Sequence, residues 1–198
     1  IAKQILPPIY NLWLRKVYGI ENLPKDRPFI IAANHASYYD AMLLHFIIVP
    51  KLNKKIHALV NNAYWSNPLI KIILDWGGCI PVFVGNKGNK KANDKAIEKA
   101  TKYLKNNEIV QIFPEGSRSW DGKLKKAYNG IARLALETRV PVLPIGFIGS
   151  HRIIPKGKNF PRFARCDVKI GNLMYFKEYY DRKLNEKILV KVTRKVMK

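Results

Sequence analysis

The feature that most restricts this chain is an alternation of short apolar, β-branched runs with longer stretches of helical period. Six runs read as strands: Pro28 to Ala33, Ile56 to Leu59, Ile80 to Val84, Ile109 to Phe113, Val142 to Phe147 and Asp167 to Ile170. Between them, Asp40 to Val49, Pro68 to Leu74, Ala92 to Leu104 and Gly130 to Thr138 carry helical character. Asn67 before Pro68 is a helix start, an N-cap followed by a proline suited to the first turn. In the 92 to 104 stretch, Ala96, Ile97, Ala100 and Leu104 form one apolar stripe while the lysines point elsewhere, the pattern of a helix packed on a core. Strands separated by helices pair in parallel through crossovers, which predicts an α/β fold: a single domain with a mixed, mostly parallel sheet flanked by helices. No repeat or Gly/Ser linker divides residues 1–198, and 47% hydrophobic content is enough for one packed core.

The two ends are less regular. From Ile5 to Val17, the residues Ile9, Leu12, Trp13 and Val17 share a helical face, with Arg15 and Lys16 as basic companions. This predicts an N-terminal amphipathic helical element over residues 1–18, suited to a membrane interface or to docking on its own core. Leu184, Ile188, Val192 and Val196 mark a second amphipathic helix, rich in Lys and Arg elsewhere and expected to be a solvated surface element. No run approaches the roughly 20 apolar residues that span a bilayer. The chain begins at Ile1 rather than at a methionine, which leaves an upstream anchor open.

Lys and Arg number 36 against 14 Asp and Glu, a net charge of +22. Such an excess predicts a negatively charged partner: nucleic acid, an anionic membrane surface or a phosphorylated substrate. Zinc-finger spacing, an RNP-like aromatic string and a recognition helix are all missing from the sequence, so charge alone speaks for nucleic acid. The aromatics Tyr10, Trp13, Tyr64 and Trp65 among the cations suit an anionic membrane surface better. The basic stretch 152–165, with Arg152, Lys156, Lys158, Arg162 and Arg165, is expected to face lipid headgroups. A basic nucleic-acid-binding protein is the alternative from another class. Cys79 and Cys166 belong to no C-x-x-C pair and read as two reduced thiols, with no metal site implied.

Two clusters carry candidate chemistry. Asn34-His35-Ala36-Ser37-Tyr38-Tyr39-Asp40 follows a strand, placing His35 at the strand end and Asp40 at the start of a helix. On a continuous helix the two side chains would diverge by roughly 140°, so they meet only if the intervening segment turns. A carboxylate on one imidazole nitrogen fixes the tautomer and leaves the other as a base near neutral pH. The second cluster, Phe113-Pro114-Glu115-Gly116-Ser117-Arg118-Ser119, ends another strand. Its glycine permits close backbone approach to a ligand, and Arg118 offers a planar charged fork suited to phosphate.

Taken together these segments resemble the glycerolipid acyltransferase superfamily, the PlsC-like 1-acylglycerol-3-phosphate acyltransferases. Asn34 to Asp40 is similar to the family's N-H-x4-D block, Gly78 to Val82 to its second, Phe113 to Ser119 to its F-P-E-G-[ST]-R-S block and Val140 to Ile145 to its last. The resemblance runs from Gly19 to about Phe147 and rests on the order and spacing of all four blocks. It implies acyl transfer from acyl-CoA or an acyl-carrier protein, as co-substrate, to the hydroxyl of a lysolipid acceptor of the lysophosphatidic acid type. No cofactor or metal is implied. His35 would be the general base and Asp40 its support, with direct attack on the thioester; Glu115, Gly116, Ser117 and Arg118 would bind substrate. Peripheral or monotopic membrane association on the cytoplasmic face is expected from the charge and the aromatics, and an apolar tunnel near the site because an acyl chain left in water is costly. Two departures stand out. Phe83 and Val84 follow the second block where the family usually has an acidic residue and an arginine, making Lys87 and Lys90 the nearest cationic substitutes, Lys87 first. Ala127-Tyr128-Asn129-Gly130 stands where Phe-Lys-x-Gly is common. A lysophospholipid or lyso-aminolipid acceptor therefore stays open.

Overall fold

A computed structural model describes residues 12–85, 89–158 and 160–198. Seven strands form one sheet: β1 (Leu14–Tyr18), β2 (Ile30–Ala33), β3 (Ile56–Asn61), β4 (Ile80–Val82), β5 (Ile109–Ile112), β6 (Val142–Ile148) and β7 (Cys166–Ile170). Their order across the sheet is β1-β7-β6-β2-β5-β3-β4. The five strands from β6 to β4 are parallel, β7 runs antiparallel to β6, and β1 is parallel to β7. The helices are α1 (Tyr39–Leu52), α2 (Pro68–Trp76), α3 (Lys90–Lys105), α4 (Gly130–Thr138) and α5 (Glu186–Val196).

The central strands are apolar on both sides because both faces are covered, as parallel sheets require. Ile30, Ala32, Val110 and Ile112 pack with α3, α4 and α5 on one face. The alternate residues Phe29, Ile31, Ala33 and Ile109 pack with α1 on the other. The crossovers explain the sides. From β2 to β3 the chain steps one way across the sheet, and from β4 to β5 to β6 it steps back. A constant right-handed crossover therefore puts α1 on one face and α3 with α4 on the other. Ligand sites in such sheets form at the carboxyl ends of the strands, where the winding reverses.

Local signals act as expected where they are strong. The Asn67 side chain accepts from the amides of Leu69 and Ile70, capping α2, whose Pro68 occupies the first turn. Lys90–Lys105 buries Ala96, Ile97, Ala100 and Leu104. The ends differ from expectation. Within the segment read as an N-terminal helix, Leu14–Tyr18 is an edge strand, held to β7 by its ladder and by the Arg15 Nε bond to Asp167 Oδ1 at 2.7 Å. The rest of that segment, residues 1–11, lies outside the described residues. The C-terminal helix is no solvated rod either: Val192 and Val196 are buried against the core shared with α4.

Candidate active site

The site is assembled by strand register. β2 and β5 are neighbours with Ile30 opposite Val110 and Ala32 opposite Ile112. Carried three residues beyond the Ala32–Ile112 pair, the same offset sets His35 beside Glu115, and a hydrogen bond joins them there: the His35 amide donates to Glu115 Oε1 at 2.9 Å. Thus two clusters 80 positions apart become one wall. The backbone closes it further, with the Ser119 amide donating to the His35 carbonyl at 2.8 Å. Asn34 grips the next strand on the other side, accepting from the Phe147 amide at 2.6 Å and donating to its carbonyl at 3.1 Å.

Between β2 and α1 the chain turns tightly enough to bring His35 onto Asp40. His35 Nδ1 lies 3.0 Å from Asp40 Oδ2, and the same oxygen accepts from the amides of Ala36 and Ser37, each at 2.7 Å. Asp40 is fully buried, in the first turn of α1, where a carboxylate also meets the positive end of the helix dipole. A carboxylate that accepts a hydrogen bond favours the tautomer in which Nδ1 carries the proton and donates it, so Nε2 keeps its lone pair. Phe113 stacks on the imidazole at 3.9 Å between centroids and 12° between planes, fixing the ring from one side.

The two oxygens of Glu115 accept from the amides of His35 and Lys125, both at 2.9 Å, and the side chain sits behind the turn at 3% exposure rather than on the cavity wall. In this geometry Glu115 braces two loops. Burial pushes its carboxyl above the usual range, while the two amide bonds pull it back.

Phe113, Pro114, Gly116, Ser117 and Arg118 of that turn do face a cavity of about 660 Å³ that also includes His35 in its wall. This is within the roughly 300–1,000 Å³ usual for small-molecule sites. Gly116, Ser117 and Arg118 line it near Tyr38, and Leu59, Leu74, Val82, Ile97 and Ile112 give it a mainly apolar continuation. Gly116 has φ +66, and a Cβ there would come within 2.7 Å of Val84 and 2.8 Å of Tyr128, so only glycine fits the turn without displacement. Ser117 Oγ is hydrogen-bonded to the Lys125 ammonium. The Arg118 guanidinium lies 3.3 Å over the Tyr38 ring, and its Nη1 is shut off from solvent without a hydrogen-bond partner. Lys87 lies outside the described residues. Lys156, from the basic stretch after β6, is a cation that does line the cavity. The sequence points to neither the Tyr38 stack nor the Lys125 amide; an aromatic inside the His block and a lysine ten residues past Glu115 carry no signal until the loops fold back. Among the described residues no group of three or more His, Cys, Asp or Glu could hold a metal ion.

An α/β sheet with a carboxylate-held histidine at its strand ends, opening into a largely apolar cavity, is the architecture of an α/β enzyme whose site can take a partly apolar ligand. Comparison with known proteins narrows the class: the acyltransferase family profile matches residues 14–148, and the chain belongs to that family. It is 34% identical over 144 residues to the 1-acyl-sn-glycerol-3-phosphate acyltransferase of Bacillus subtilis, covering 72% of this chain and 68% of that protein. It is 29% identical over 150 residues to a chloroplastic 1-acyl-sn-glycerol-3-phosphate acyltransferase of Arabidopsis thaliana, covering 75% of this chain and 40% of that protein. The chain thus spans about two fifths of the length of its chloroplast relatives, the Brassica napus one included. The crystal structure of the 1-acyl-sn-glycerophosphate acyltransferase PlsC from Thermotoga maritima superposes with TM-score 0.71 at 26% identity, over 98% of this chain and 74% of that one.

Proposed function

We propose that this chain transfers a fatty acyl group from a thioester, acyl-CoA or an acyl-carrier protein, to the free hydroxyl of a lysophosphatidate-type acceptor. His35 Nε2 takes the hydroxyl proton, and the alkoxide oxygen attacks the thioester carbonyl as the O–H bond breaks. The tetrahedral intermediate collapses with loss of the thiolate, which recovers the proton from the imidazolium. Asp40 holds the imidazole in the required tautomer and stabilises its charged form. No acyl-enzyme forms in this sequence of steps. Arg118, which lines the cavity, serves the acceptor phosphate, and Ser117 with Lys125 adds polar support beside it. The apolar continuation of the cavity takes a fatty chain, whose transfer out of water is favourable by roughly 0.8 kcal/mol per methylene.

The observation that carries this reading is the 3.0 Å His35–Asp40 pair opening on the cavity that Arg118 also lines. The relatives' names support the acceptor class. The +22 charge supports work at an anionic, peripheral membrane surface on the cytoplasmic face; among the described residues no helix is long and apolar enough to cross a membrane. The test is a panel of lysophosphatidate, lysophosphatidylcholine and monoacylglycerol acceptors with palmitoyl-CoA and with palmitoyl acyl-carrier protein. The expected result is a preference for lysophosphatidate that Arg118→Ala removes. Equal turnover of monoacylglycerol by the unmodified protein would overturn the phosphate assignment, and no transfer to any acceptor would overturn the reaction.

A further inference from the structure

Helix α2 does not have the polar exterior of a surface helix. Leu69, Ile72, Ile73 and Trp76 are 73%, 66%, 66% and 85% exposed. At about 100° per residue these four fall within an arc of about 100°. Ile70 and Leu74 project from another side of the helix and line the cavity. One short helix is therefore both cavity wall and exposed apolar ridge.

Across the cavity mouth the chemistry repeats in another form. Lys156 lines the cavity with its ammonium 4.6 Å over the Trp120 ring. Beyond it Phe160 and Phe163 stand 83% and 110% exposed, among the exposed cations Lys158, Arg162 and Arg165. The stretches that follow β3, β5 and β6 all leave the same end of the sheet, because these strands are parallel. Apolar ridge and aromatic–cationic loop thus flank one opening.

We propose that these two elements seat the protein on an anionic lipid leaflet, with the α2 ridge sunk at the boundary between headgroups and acyl chains. A lysolipid then reaches the cavity sideways past α2 without crossing water. The inference rests on the acyl-transfer reading for its substrate and on the surface itself for its partner. Large apolar side chains beside Lys and Arg are what an interfacial element requires, the former entering the acyl boundary and the latter meeting lipid phosphates. A second copy fits this face poorly, since each chain carries a net +22 and two would repel. The described N-terminal segment touches the loop side of this surface, where the Trp13 indole donates to the Arg162 carbonyl at 2.9 Å, while β1 lies at the opposite edge of the sheet from β4, six strand spacings or roughly 29 Å from it.

The experiment is flotation with vesicles of equimolar phosphatidylcholine and phosphatidylglycerol, run beside turnover of vesicle-borne long-chain lysophosphatidate and of a soluble short-chain analogue. Ile72→Gln with Trp76→Gln is expected to weaken vesicle binding roughly a hundredfold, about tenfold per side chain withdrawn from the acyl boundary. Turnover of the vesicle-borne substrate should fall with it, and that of the soluble analogue should stay within about twofold. Phe163→Ser should act in the same direction more weakly. Unchanged flotation of the double variant, with its melting temperature preserved, would overturn the docking surface. So would sedimentation showing that the unmodified protein is a dimer which the double variant breaks. Vesicle binding lost only through α2, with no turnover of either acceptor by the unmodified protein, would uphold the surface and defeat the acyl-transfer reading instead.

Discussion

His35 and His57 are built from the same parts and differ in one respect. Each has a carboxylate partner, Asp40 for one and Glu108 for the other. Each stacks on an aromatic ring, His35 on Phe113 and His57 on Tyr103 at 3.6 Å and 4°. But His57 is enclosed by the protein on both sides, with Nδ1 bonded to the Gly78 carbonyl at 3.0 Å and Nε2 pressed against Glu108, and its side chain is 4% exposed. His35 commits one nitrogen to Asp40 and keeps 20% of its side chain open where the cavity begins. A histidine with a carboxylate is thus not yet a base. What separates the two is a ring nitrogen left over and a space for a substrate beside it, while His57 ties the turn before β4 to the start of β5.

The sharpest way to break this comparison is to remove each ring in turn. His35→Ala is expected to lower kcat on the order of 10²–10⁴-fold, with the urea midpoint nearly unchanged. His57→Leu should keep kcat within a few-fold and cost about 1–3 kcal/mol of stability, because it leaves the Gly78 carbonyl without its partner and removes the ring stacked on Tyr103. Steady-state kinetics beside urea unfolding of both variants checks this. Loss of turnover in both, or in the His57 variant alone, would remove the distinction.

The difference between the two rings is only half legible in the sequence. The residues of the His35 cluster stand close together along the chain, and the Asn34 to Asp40 string carries its own turn. The partner turn at residues 113–119 is legible as chemistry, and its position follows once β2 and β5 are neighbours. What His57 does depends on Gly78, Tyr103 and Glu108, none within twenty positions of it, and no local pattern signals such a convergence. The same limit explains β1. Ile9, Leu12, Trp13 and Val17 fit a helical face, yet Leu14–Tyr18 pairs with a strand some 150 positions away, and that ladder outweighs a local preference. Glu115 looks like a ligand because a carboxylate between proline and glycine at a strand end is conspicuous. That it braces amides 80 positions before it and ten after it is a property of tertiary structure alone.

Glu115 offers the next test, because it positions the His35 backbone and nothing comparable holds His57. Gln in its place keeps one acceptor oxygen but turns an NH₂ toward the second amide, so His35 shifts and turnover should fall roughly tenfold, in line with the sensitivity of reaction rates to small displacements of a catalytic group. The pH dependence of stability carries a sign. Burial raises the Glu115 pKa in the folded state above its unfolded value of about 4.5. Between those two values the folded protein holds a proton that the unfolded chain has lost, so the stabilisation is complete below the unfolded value and declines as pH rises through the folded one. Wild type minus Glu115→Gln stability, from urea midpoints measured at stepped pH, should therefore be greatest in acid and shrink toward neutrality. A difference that grows with pH would mean that the amide bonds, rather than burial, dominate this carboxyl.

The smallest effect uses the two thiols, one near each histidine site. Cys79 follows Gly78, and burial raises its thiol pKa. The Cys166 thiol is pushed up to about 12, first by burial and then by the negative charges of Asp40 and Asp167. At pH 8 both stay protonated and poorly nucleophilic, so iodoacetamide should modify Cys79 slowly and Cys166 scarcely at all in the folded protein, and both in urea. Asp40→Asn removes one of the charges that disfavour the Cys166 thiolate while leaving burial in place. The expected change is a few-fold faster alkylation of Cys166 with that of Cys79 unaltered, read by mass spectrometry at matched melting temperature. Should Cys166 react no faster, burial alone would set the inertness of this thiol, and the Asp40 side chain would have no electrostatic reach beyond the imidazole it holds.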